Sequence, residues 1–132
     1  MRFLLDTHSL IWSLFAPEKL SKIARNAIVD PENEVMVSVI TFWEISLKYA
    51  LGKFEIIGLN PEDLPVAAHK TGFDIIQVEP DEAASFHRLP RLGHKDPFDR
   101  LILWQAIQRK LTLLSADHRF QEYKENGLRV LW

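Results

Sequence analysis

The segment Arg2-Phe3-Leu4-Leu5-Asp6-Thr7-His8-Ser9-Leu10-Ile11-Trp12-Ser13-Leu14-Phe15 holds an apolar run, an acid and a second apolar stretch in close succession. Phe3 to Leu5 is unbroken, as in a strand buried on both faces, so Arg2–Leu5 reads as a strand that ends at Asp6. His8 to Phe15 reads as a helix stopped before Pro17, because proline cannot continue a helical ladder. A buried strand that ends at an acid and turns into a helix is the first half of a parallel crossover unit.

The rest of the chain repeats that order. Ser21 has the chemistry of an N-cap, and Ile23, Ala24, Ala27 and Ile28 supply a helical stripe. Glu34–Val39 is apolar and β-branched, a second strand. Thr41 opens a helix through Leu51, with Gly52 as its stop. Asn60-Pro61-Glu62-Asp63 has the cap, proline and acids of another helix start, which Gly72 ends. Asp74–Val78 is a third strand, and Asp81–His87 a short helix after Pro80. Asp96-Pro97 begins the clearest helix, with Leu101, Trp104, Ala106 and Ile107 among its buried positions. Thr112–Ser115 and Leu128–Leu131 are the fourth and fifth strands. Strands alternating with helices imply right-handed crossovers and a mostly parallel sheet covered on both faces. Ligands of such sheets bind at the carboxyl ends of the strands, where helix N-termini gather.

Four acids fall at that edge. Asp6 follows the first strand and Asp117 the fourth, while Glu44 and Asp99 sit in the first turns of the helices opened by Thr41 and Asp96-Pro97. Each has an ordinary explanation. Asp6 and Asp117 have the chemistry of caps, Thr41 and Glu44 stand at capping-box spacing, and Asp99 stands in the same relation to Asp96. Together they mean more, because carboxylates gathered within ~4–6 Å raise one another's pKa and a divalent cation removes that penalty. Oxygen donors without cysteine suit Mg²⁺ or Mn²⁺ better than Zn²⁺. The chemistry that follows is in-line hydrolysis of a nucleic-acid backbone, with the ion activating water.

Composition bounds this reading. A chain of 132 residues, 47% hydrophobic and 26% charged, makes one domain, residues 1–132. With no cysteine there are no disulfides, thiolate zinc sites or cysteine nucleophiles, which suits a reducing cytoplasm. Asp6 interrupts the first apolar run, so no signal-peptide core forms, and Leu10–Phe15 is far short of the roughly 20 residues of a membrane span. The net charge of −2 mildly disfavours binding nucleic acid by charge alone, although catalytic acids can mask local cations. Arg88, Arg91, Lys95 and Arg100 bracket Asp96 and Asp99, and Lys48 and Lys53 follow Glu44. Of these, Lys48, Lys95 and Arg100 are the candidates for gripping substrate phosphate. None of His8, His69, His87, His94 and His118 shows paired metal-ligand spacing. His94, beside Lys95 and Asp96, is placed to contact phosphate, yet a lone histidine is more often structural, and that role is not adopted.

Four segments, F-L-L-D-T-H from Phe3, T-F-W-E-I-S-L-K-Y-A-L-G-K from Thr41, H-K-D-P-F-D-R-L-I-L-W-Q-A from His94 and L-L-S-A-D-H-R-F from Leu113, resemble PIN-domain proteins, and within them the VapC-type toxins of bacterial toxin–antitoxin pairs. The resemblance covers nearly the whole chain in order. It implies a three-layer α/β/α fold around a mostly parallel sheet, and a Mg²⁺- or Mn²⁺-dependent endoribonuclease acting on RNA. By motif match Asp6, Glu44, Asp99 and Asp117 build the metal site. Asp96 is then an auxiliary acid or a helix cap, with the cap favoured, while Ser115 and Thr7 orient carboxylates. His8 stands where many members carry Asn, which leaves its role open. The resemblance also implies a cognate antitoxin and a homodimer. Trp12, Phe15, Trp43, Tyr49, Leu51 and Phe54 lie beside the site; most read as core, and some as a groove for an antitoxin helix.

Two other classes compete. Aspartate-based phosphoryl-transfer domains also carry an acid after the first strand, but they need paired acids there, and His8 stands where a phosphatase would place the second. A non-catalytic α/β binding module would use the acids as caps alone, so that their amide variants lose stability and no activity.

Overall fold

Side chains along β1 (Arg2–Leu5) alternate between two cores. Leu4 joins Met36, Leu113 and Trp104 on one face, and Phe3 and Leu5 join Val35, Val37 and Leu10 on the other. The period of two along a strand makes this division, and a sheet buried on both faces requires apolar residues in both registers. The computed structural model describes residues 1–132. Around β1 lie β2 (Glu34–Ser38), β3 (Asp74–Ile76), β4 (Thr112–Leu114) and β5 (Arg129–Leu131). All pair in parallel, in the order β3-β2-β1-β4-β5, so the expected mostly parallel sheet is parallel throughout.

The helices are α1 (Thr7–Phe15), α2 (Lys22–Val29), α3 (Val39–Ala50), α4 (Leu64–Thr71), α5 (Pro80–Ser85) and α6 (Pro97–Arg109). Residues of α1, α2 and α4, among them Leu10, Ala24 and Ala68, pack on the Phe3 face. Ile40 of α3 and Ile102, Leu103 and Trp104 of α6 pack on the Leu4 face, which makes three layers. The chain order reverses between β1 and β4: β2 and β3 lie to one side of β1, β4 and β5 to the other. The crevice at the carboxyl ends of β1 and β4 is therefore the switch point at which such sheets bind ligands.

Several sequence-based boundaries move. The helix expected from Thr41 begins at Val39, because the Ser38 hydroxyl caps it by accepting the Ile40 amide at 3.1 Å. Val39 therefore belongs to the helix, Glu44 lies in its second turn, and the Thr41–Glu44 capping box does not form. The Asn60 start is a 3-10 turn, Pro61–Asp63, running into α4, and Gly72 ends α4 at φ +98°, a conformation glycine adopts without strain. On α6, Trp104 and Ala106 are buried, but Leu101 and Ile107 are half-buried; Ile102, Leu103 and Gln105 take the interior positions. None of the six large apolar residues near the site is fully buried. Trp12 and Phe54 are half-buried, whereas Phe15, Trp43, Tyr49 and Leu51 are exposed, which corrects the expectation that most are core. No helix is long and apolar enough to cross a membrane.

Candidate metal centre at the strand-end edge

Asp6 serves two ends at once. Its Oδ1 caps α1 by accepting the Ser9 amide at 2.9 Å, and its Oδ2 accepts the Ser115 hydroxyl at 2.5 Å. Capping α1 and standing at the strand-end edge thus fall to one residue, and the two readings of Asp6 do not exclude each other. Ser115 in turn accepts the Asp117 amide at 3.0 Å, tying the ends of β1 and β4 together. Burial raises the Asp6 pKa above the usual carboxylate range, and the Ser115 and Ser9 bonds offset part of that rise.

Glu44 reaches the same edge from α3. It is buried, its Oε1 accepts the Thr7 hydroxyl at 2.6 Å, and its Oε2 pairs with Lys48 one turn on. Asp117, at the start of the 3-10 segment His118–Asn126, accepts the Arg119 amide and holds the Arg119 guanidinium at 2.8 Å. That guanidinium bond, outweighing partial burial, lowers its pKa.

Asp99 has no such partner. It stands in the first turn of α6, where Asp96 is the N-cap, accepting the Phe98 and Asp99 amides at 2.9 and 3.1 Å. No lysine or arginine lies within ion-pair distance of its carboxyl, whose nearest basic neighbour is His94 Nε2 at 3.1 Å. Burial, followed by the charges of Asp96, Glu44, Asp6 and Asp117, pushes its pKa up to about 7. Asp6, Asp99 and Asp117 line a cleft of about 240 Å³ together with His8, Trp12 and Arg119. His8 leans on the Trp12 ring, with centroids 5.6 Å apart.

The three cations proposed for phosphate separate. Lys48 is partly exposed beside Glu44, and Lys95 is exposed at the mouth of a neighbouring cleft with His87 and Arg91. Arg100 is turned inward: it is buried and donates to the Pro90 and Leu89 carbonyls and to the Tyr123 hydroxyl at 3.0, 3.3 and 2.8 Å. It anchors the loop before α6 and is not available to phosphate, which corrects the sequence reading.

That loop carries His94, for which sequence reasoning favours a structural role. His94 is fully buried, and Nε2 lies 3.1 Å from Asp99 Oδ2 and 3.5 Å from Asp117 Oδ2. Burial, then the Arg119 charge, lowers its pKa against the pull of Asp117 and Asp96, favouring the neutral ring. Its spacing to Asp99 matches no local ligand motif. The sequence signal was its place in the His94–Asp99 segment, ahead of the two acids of one turn.

The donor set fits a divalent cation. Several carboxylates share one cleft, one of them too destabilised to ionise fully at neutral pH, and a buried imidazole faces two of them. Bringing in a doubly charged ion would lower Asp99 again and satisfy the lone pairs that no protein cation covers.

The PIN domain family model matches residues 3–126. Ribonuclease VapC22 of Mycobacterium tuberculosis is 29% identical over 133 residues, spanning 98% of this chain and 97% of that protein. Among solved structures, VapBC2 from Rickettsia felis, bound to a DNA fragment from their promoter, superposes with a TM-score of 0.68 at 17% identity, covering 99% of this chain and 98% of that one. DNA-bound VapBC from Salmonella typhimurium gives a TM-score of 0.65 at 21% identity, over 99% and 97% of the two chains.

Proposed function

The chain belongs to the PIN domain family, and on that premise we propose that it is a metal-dependent endoribonuclease, the toxin of a toxin–antitoxin pair, working in the cytoplasm as a single domain. The observation that carries the reading is the Asp99 carboxyl. It is held near pKa 7 by burial and neighbouring acids, with no lysine or arginine paired to it. A fold that needed these acids only as caps would have no reason to crowd them.

Asp6, Asp99 and Asp117, with Glu44 completing the set, would hold Mg²⁺ or Mn²⁺. When bound, the ion makes water a competent nucleophile at neutral pH and offsets charge building on the scissile phosphate. The remaining tasks fall to the chain's own groups. Ser115 and the Ser9 amide fix both oxygens of Asp6, and Thr7 fixes one oxygen of Glu44. Arg119 at the cleft, Lys48 beside Glu44 and Lys95 at the neighbouring cleft would offer cations to substrate phosphates. His8 and Trp12 at its rim give an unpaired base a surface to stack on.

An RNA substrate is supported by the likeness to a protein named as a ribonuclease. An antitoxin partner is supported by the likeness to VapBC complexes and by α3 itself. Trp43, Leu47 and the C-cap residue Leu51 are 60%, 40% and 58% exposed, an apolar row along the helix and past its end suited to the apolar face of a partner helix. A homodimer belongs to the same proposal.

The test is cleavage of total cellular RNA by the purified protein with Mn²⁺, with EDTA and with Asp99→Asn. Discrete fragments that need both the metal and Asp99 are expected. Cleavage that survives thorough chelation would remove the metal from the mechanism.

A further inference from the structure

His94 is a buried titratable side chain at the strand-end edge that the carboxylate account leaves without a task. Neither Nδ1 nor Nε2 has a hydrogen-bond partner, although the ring is fully buried. Orphaned buried polar atoms are rare and costly, so a purely structural histidine would be expected to pair at least one nitrogen.

We propose that His94 Nε2 is a nitrogen donor to the divalent ion, beside the Asp99 and Asp117 carboxylates, and that it tilts the site toward Mn²⁺ over Mg²⁺. The proposal rests on the metal-dependent reading above and deepens it.

Three observations carry it. Nε2 lies 3.1 and 3.5 Å from one oxygen of each acid, without a hydrogen bond to either. Donors that share a metal at bonds of about 2.1 Å are themselves about 3.0 Å apart at right angles and about 3.4 Å apart in a tetrahedron. Both Nε2 separations are those of groups around one ion, and the three donor atoms lie within 4.8 Å of one another. The second observation is how the ring is held. It packs on Phe120 with centroids 5.0 Å apart, and its loop is fastened by Arg100 on the Leu89 and Pro90 carbonyls and by Glu122 accepting the Gly93 amide at 3.0 Å. Supports of this kind preorganise a ligand. The third is donor chemistry. Mg²⁺ prefers oxygen and gains little from imidazole, whereas Mn²⁺ and later ions accept nitrogen.

The experiment is electron spin-echo spectroscopy of the Mn²⁺-loaded full-length protein, paired with calorimetric titration of Mn²⁺ and Mg²⁺. Expected are a directly bound ¹⁴N coupling in the wild type, retained in a His8→Gln/His118→Gln double variant and lost in His94→Gln. Mn²⁺ affinity should fall at least about tenfold in His94→Gln, with a smaller change for Mg²⁺. Should His94→Gln fail to fold, the double variant decides: a retained coupling supports His94, and a lost one overturns it. Bound Mn²⁺ without any nitrogen coupling in the wild type overturns this inference and leaves the nuclease reading standing. Failure to bind Mn²⁺ at all overturns both.

Discussion

Glu82 on α5 and Asp99 on α6 are both carboxylates drawn largely out of water, and their surroundings differ in one respect. Glu82 is 7% exposed, yet the Arg109 guanidinium grips both its oxygens at 2.7 and 2.8 Å, and the Glu79 amide and Gln105 add further bonds. Burial pushes its pKa up, but these partners more than offset that and leave it low. Asp99, half-buried among four other acids, has no arginine of its own, and its pKa rises to about 7. The first carboxylate is completed by the protein. The second is left without a counter-charge, which under the proposed function a divalent ion supplies. Burial of an acid therefore does not by itself mark a site; burial without a counter-charge does.

The largest expected effect breaks this comparison at the functional end. Asp6→Asn and Asp99→Asn should each lower RNA cleavage at least about 10²-fold, since a lost metal ligand removes the ion's charge as well as its own. In cells, expression without an antitoxin should arrest growth, and Asp6→Ala should relieve the arrest; growth counts of the two strains check this.

The next effect is on stability and lies at the other end. Arg109→Met should destabilise the fold by about 2–4 kcal/mol in urea unfolding, because it strands the Glu82 charge. Cleavage by the protein that remains folded should be unchanged.

Asp99→Asn should move stability in the opposite direction. The raised pKa means that the metal-free folded state holds a proton that the unfolded chain releases near pH 4. The penalty is absent below about pH 4, grows as pH rises towards 7, and is full above it. The variant should therefore be more stable than the wild type by about 1–3 kcal/mol at pH 8, with a smaller gain at pH 5, read from paired urea melts without metal. A gain independent of pH would break the link to ionisation.

The smallest effect concerns Ser115→Ala. Losing one buried hydrogen bond should cost roughly 1 kcal/mol. With that donor gone Asp6 rises further, so the acid limb of the cleavage profile should move to higher pH.

The same contrast explains what the sequence could and could not convey. The alternation of apolar runs and helical stripes made the parallel sheet legible. The gathering of the acids after β1 and β4 at one edge was legible too, because topology alone carries them there. The start of α3 was not, since Val39 is β-branched and reads as the end of the strand until the Ser38 cap is seen. Arg100 misled because it neighbours Asp99 in sequence. One residue on a helix is a turn of about 100°, which carries it from the cleft to Tyr123 and the loop carbonyls. His94 was invisible as a donor for a related reason: it meets Asp99 and Asp117 through a loop fold, and no periodicity encodes that.

What distinguishes Asp99 from Glu44 and Asp117 is the want of a lysine or arginine partner, a charge that a divalent ion would supply. The most direct test is a thermal melt of the wild type and Asp99→Asn at pH 8 as Mn²⁺ is titrated. The account predicts that the metal-free variant melts higher than the wild type, and that Mn²⁺ raises the wild-type midpoint steeply while leaving the variant nearly unmoved. A wild-type midpoint indifferent to Mn²⁺, with a variant that melts lower, would contradict it.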